Sequence, residues 1–74
     1  MSLQVTGTIA RLGLGSGTWA LVTATGETYE LKDAPAALKQ VGLQVQIQGE
    51  LRPDVMTLAM IGPVLEVQSF TIVP

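Results

Sequence analysis

The chain has 74 residues, no cysteine, no histidine, and a formal net charge of -2 from four Lys+Arg against six Asp+Glu. That length makes one domain, 1–74, which buries only about 60% of its unfolded surface and needs nearly every apolar side chain in its core. Without Cys or His there is no disulfide, no zinc cage of the usual ligands, no thiolate nucleophile and no imidazole base, so no catalytic, metal or cofactor-binding residue is predicted.

Apolar residues recur at period two almost throughout, which is the strand signal. Leu3, Val5, Gly7 and Ile9 alternate with Gln4, Thr6, Thr8 and Ala10 in a first strand of about ten residues. Gly13-Leu14-Gly15-Ser16-Gly17 then connects to a second strand in which Trp19, Leu21 and Thr23 alternate with Ala20, Val22 and Ala24. Its glycines invite a phosphate-loop reading, yet the run lacks the Walker lysine and leads into a strand, so a plain hairpin connection is predicted. Thr25-Gly26 marks a tight turn into a third strand, Glu27-Thr28-Tyr29-Glu30-Leu31, with Tyr29 and Leu31 inward.

Period two breaks over residues 33–42. Asp33 as cap, Pro35 in the first turn and Gly42 as a left-handed stop predict a two-turn helix with Leu38 and Val41 on one side. Leu43, Val45, Ile47, Gly49 and Leu51 against Gln44, Gln46, Gln48 and Glu50 form the cleanest alternation and predict a fourth strand with one buried face. Arg52-Pro53-Asp54 turns the chain, residues 55–61 read as a shorter strand, and Gly62-Pro63 bends it into a final strand from Val64 to Val73.

A three-strand meander, a short helix, a fourth strand and a fifth split by a bend at Gly62-Pro63 follow the order of the OB-fold, a five-stranded Greek-key barrel. The predicted fold is therefore all-β. Gly7-Thr8-Ile9, Gly17-Thr18-Trp19-Ala20-Leu21, Val45-Gln46-Ile47-Gln48-Gly49 and Met60-Ile61-Gly62-Pro63-Val64 resemble small bacterial OB-fold domains of unknown function. Those motifs are turn glycines and core positions, so the resemblance implies a barrel and a bacterial source and attaches no activity. An SH3-like barrel is the alternative, disfavoured by the helix between strands three and four. The predicted interior is Leu3, Val5, Ile9, Leu21, Tyr29, Leu31, Val45, Ile47, Leu65 and Val67, with Leu38 and Val41 plugging one end.

Two function classes follow. OB-folds bind single-stranded nucleic acid with cations for the backbone and aromatics for the bases, and Arg11, Trp19 and Arg52 are the candidate groove for such a strand or for a small ligand. Net negative charge and four scattered cations weigh against that reading. Trp19 shares the parity of Leu21, so a core residue closing the barrel mouth is the simpler role. The carboxylates Glu27, Glu30, Glu50 and Glu66 read as solvated surface groups and no enzyme is predicted.

The other class rests on 47% hydrophobic residues and only 14% charged, a surplus of apolar surface for this size. Outward Ala20, Val22 and Ala24 make a weakly apolar strip, and Val55, Met56, Leu58 and Met60 a segment apolar on both faces. Gln44, Gln46, Gln48 and Gln68 add an uncharged polar face. These residues predict a protein-interaction or assembly module, a homo-oligomer or a subunit for a protein partner. No apolar run reaches the roughly 20 residues of a membrane span, and Met1-Ser2-Leu3-Gln4 lacks signal-peptide features, which reads as cytoplasmic or already trimmed.

Overall fold

The computed structural model describes residues 2–12, 17–55 and 61–73. Five strands carry the fold: β1 (Ser2–Leu12), β2 (Thr18–Thr23), β3 (Thr28–Lys32), β4 (Gln44–Leu51) and β5 (Val64–Ile72). They hydrogen-bond in the order β1-β2-β3-β5-β4, and β4 pairs again with β1, so the sheet closes into a ring. Every neighbouring pair is antiparallel except β3 and β5, which run parallel. No helix among the described residues is long and apolar enough to cross a membrane.

Closure depends on the length of β1. Its first half pairs with β4, from Ser2↔Glu50 to Thr8↔Gln44, and its second half with β2, from Gly7↔Thr23 to Leu12↔Thr18. The register carries Leu12 to Thr18, runs on from Ala20↔Glu30 to Lys32, crosses to Glu66 and Glu50, and regains β1 at Ser2, ten residues from its start. A ring of five strands with so large a stagger has steeply tilted strands and an interior that side chains fill.

Alternation decides which side chains fill it. Val5, Ile9, Leu21, Leu31, Val45, Ile47 and Leu65 form one buried cluster with Leu38, and Leu3, Trp19, Tyr29, Val67 and Phe70 pack against it. All ten predicted interior residues thus belong to the core or line it. Along β4 the alternation holds from Val45 to Gly49, while Leu51, at the strand's end, is exposed. The partner of β4 jumps from Ser69 to Val67 between Gln48 and Gly49, which leaves Gln68 as the extra residue of a bulge.

The predicted two-turn helix is replaced by a single 3-10 turn, Ala36–Leu38. Pro35, which carries no side-chain acceptor, stands at its N-cap, and its carbonyl takes the Leu38 N–H at 2.9 Å. Asp33 lies too far back in the chain to cap that turn. Its backbone sits in the left-handed region at φ 58 and its carboxylate takes a hydrogen bond from Lys32 Nζ instead. The chain then tightens, with Gln40 N–H donating to Leu38 O, and Gly42 N–H donates to Ile9 O, tying the loop to β1. One three-residue turn has room for one inward side chain. Leu38 is fully buried and closes the ring, whereas Val41, predicted to share that role, is 63% exposed.

The bend predicted at Gly62-Pro63 falls at Ile61 and Gly62, after which β5 runs unbroken from Val64. The proposed strand segment before the bend falls largely on residues 56–60, outside the described residues.

Candidate functional site

Arg11 and Trp19 face each other across the β1–β2 ladder. The guanidinium carbon of Arg11 lies 4.7 Å from the Trp19 ring centroid, a cation–π contact worth about 0.5–1 kcal/mol at an exposed site. Arg11 also donates to the carbonyl of Gly17 at 3.4 Å. Both residues have the inward parity of Ile9 and Leu21, and Trp19 is half-buried against the core. The indole therefore closes one end of the ring, with the arginine laid over it.

Arg52 belongs to a different group of side chains. Lys32, Glu66 and Glu50 lie side by side on β3, β5 and β4, and Arg52 follows Glu50 by two residues on the same outer face. Its Nε donates to Glu66 Oε1 at 2.9 Å, a second nitrogen donates to the same oxygen, and Glu50 Oε2 lies 3.3 Å away. Lys32 Nζ is 3.5 Å from Glu66 and 3.0 Å from Asp33. No contact among the described residues joins Arg52 to Arg11 or Trp19. The three predicted groove residues are thus divided between an inward-facing pair and an outer ion-pair network.

That network fixes a pH dependence. The hydrogen bond from Lys32, reinforced by its charge, holds the Asp33 carboxyl below the usual carboxylate range, and the same contact raises Lys32. Hydrogen bonding to Glu66 raises Arg52. A depressed carboxyl stabilises the fold above its unfolded pKa and loses that contribution as pH falls; raised cations stabilise below their ordinary values and lose it as pH rises through the folded ones. With no histidine or cysteine in the chain, the melting temperature is expected to stay level between about pH 6 and 9, and to fall below about pH 4 and above about pH 10. A transition inside the plateau, followed by calorimetry, would contradict this account.

The predicted apolar strip is revised. Ala20 has outward parity but is 0% exposed, and its cross-strand neighbour Glu30 and Glu30's neighbour Val64 are both buried as well. This row of the outer face is covered, so Ala20 offers no free surface. Val22 is half-buried and Ala24 exposed, while Val55 is half-buried. Met56, Leu58 and Met60 lie outside the described residues.

Val22 and Ala24 instead border a groove of about 330 Å³, shared with Thr6, Gly7, Thr8, Thr23, Gln44 and Val73. It lies where β1 passes from β2 to β4, since Gly7 and Thr8 pair with both. None of its lining side chains is charged. The uncharged character continues across β1 and β4, where Gln4 donates to Gln46 at 3.1 Å and Gln46 to Thr6 at 3.5 Å. Sequence reasoning missed Thr6, Thr8 and Val73 as groove residues, since none carries a charge; the one available signal was threonine on either side of a strand glycine. No protein-family model, curated protein or solved structure matches the chain.

Proposed function

We propose that this chain is a non-catalytic OB-fold module that works by protein–protein contact, with self-association as its first mode. The strand order supports the fold: β4 returns to lie beside β1 of the β1-β2-β3 meander, the 4-1-2-3 arrangement of a Greek key, and β5 then closes the ring by a parallel pairing with β3. The observation that carries the function is the uncharged groove and its neutral surroundings, on a molecule whose ion pairs gather elsewhere, on the outer face of β3, β5 and β4. A neutral surface of threonine, glutamine and small apolar side chains docks without stripping water from charges. Nucleic acid is the weaker reading, because Arg52 already faces two carboxylates and the chain is net negative.

Light scattering on the eluting species tests the proposal. A mass that rises from monomer to dimer with concentration is expected, with no binding of a fluorescent oligonucleotide at low salt. A strict monomer at the highest soluble concentration, or tight salt-sensitive oligonucleotide binding, would overturn it.

A further inference from the structure

On the reading that the chain self-associates, we infer that its contact is the open edge of β1 at Gln4 and Thr6, paired antiparallel with the same edge of a second copy. The backbone directions follow from bonds at the far end of the strand. Ile9 N–H donates to Leu43 O and Ile9 O accepts from Gly42 N–H, so the polar backbone groups of Ile9 point toward the β4 side. Along a strand these directions alternate, so Leu3, Val5 and Gly7 also address β4, while Gln4 and Thr6 address the opposite side. There β2 would have to continue. Its pairing with β1 ends at Gly7↔Thr23, where the chain turns away, with Thr23 N–H bonded to Glu27 O. In the strand register Gln4 is paired with Gln48 and Thr6 with Gln46, both on β4; on the other side Ala24, just past the end of β2, is the nearest residue opposite Thr6 and no described strand lies opposite Gln4, and the side chains of Ser2, Gln4 and Thr6 are exposed.

Soluble proteins blunt such an edge with lysine, proline, an inward charge or a bulge. Between Ser2 and Thr6 this strand has none of them; the bulge seen among the described residues lies between β4 and β5. The occupant follows from symmetry. In a two-fold antiparallel pair centred on Gln4, that residue meets its own copy and Thr6 meets Ser2, so a charge at the centre would repel itself. Ser2, Gln4 and Thr6 are all neutral and suit self-pairing. Gln4 reaches sideways to Gln46 on the outer face, which leaves its backbone edge open. Ala24 and Thr6, on the groove, leave room beside the edge for the added strand.

The test combines sedimentation velocity with amide exchange. In the concentrated wild-type protein the N–H groups of Gln4 and Thr6 should become protected from exchange, and lose that protection on dilution. Gln4→Lys and Gln4→Glu should each sediment as monomers where wild type is a dimer, with unchanged circular dichroism, and an equal mixture of the two should recover the dimer. Gln4→Pro removes an N–H that the closed ring does not use and should also be monomeric. A wild-type dimer that persists in all three variants overturns the β1-edge assignment and leaves self-association standing. A wild-type chain that stays monomeric overturns both.

Discussion

Ile47→Ala is expected to destabilise the protein by about 2–5 kcal/mol, the range for deleting a large buried aliphatic and leaving a cavity. Ile47 is fully buried, stands opposite Val5 on β1 and Phe70 on β5, and belongs to the central cluster. It joins the two pairings by which β4 closes the ring, so neither neighbouring strand can collapse into the gap without disturbing the other ladder. A chain of 74 residues has a total stability of roughly 4–11 kcal/mol at the usual 0.05–0.15 kcal/mol per residue. The loss therefore takes a large share, and at the upper end leaves the chain unfolded at physiological temperature. Urea denaturation measures it as a drop in midpoint at unchanged slope. Val41→Ala is the matched control: it also shortens an aliphatic side chain, but at a position 63% exposed, and should change stability by no more than about 0.5 kcal/mol. A loss at Val41→Ala as large as that at Ile47→Ala would mean that Val41 also packs inside the ring, and a loss at Ile47→Ala as small as that at Val41→Ala would refute its place in the core.

That contrast also separates what was legible in the sequence from what was not. β4 was readable because its alternation of Val45 and Ile47 with glutamines is a local pattern, and a strand buried on one face needs nothing else to reveal it. The segment from Asp33 to Gly42 was misread because each residue has the right chemistry for a helix terminus while the turn actually formed is set by Pro35 and by the tie from Gly42 to Ile9. That tie joins distant parts of the chain and leaves no local mark. Ala20 shows a second limit. Parity gave its face correctly, but outward is not the same as exposed, and the covering of the row with Glu30 and Val64 depends on tertiary packing. For the site, Arg11 and Trp19 were legible as neighbours flanking one connection. The separation of Arg52 was not, because it follows from the register of β3, β5 and β4, which sets Lys32, Glu66 and Glu50 in one row. The open edge of β1 was equally hidden, since it exists only because β2 stops at Thr23 while β1 continues.

Gly49→Ala is expected to be among the most damaging single-methyl additions, for a reason that has nothing to do with backbone freedom. Gly49 lies in β4 at the bulge, where its partner on β5 changes, and a Cβ there would run into the carbonyl oxygen of Glu66. The obstacle is backbone on the neighbouring strand, so relief requires β4 and β5 to part. Parting them loosens the strand pair that carries Glu66 and Glu50, and with it the contacts both make to Arg52. Overpacking of this kind costs about 1–3 kcal/mol and more when the backbone must move, so the variant should sit at or beyond the upper end. Gly26→Ala separates this mechanism from ordinary glycine strain. Gly26 has φ +88 and nothing within 4 Å of an added Cβ, so its cost is the left-handed backbone alone, about 1–2 kcal/mol. Urea midpoints should rank wild type above Gly26→Ala and Gly26→Ala above Gly49→Ala, and only Gly49→Ala should lose amide protection at the β4–β5 ladder. A Gly49→Ala protein with a wild-type midpoint would mean that β4 and β5 do not approach each other at Glu66 as closely as the ring requires.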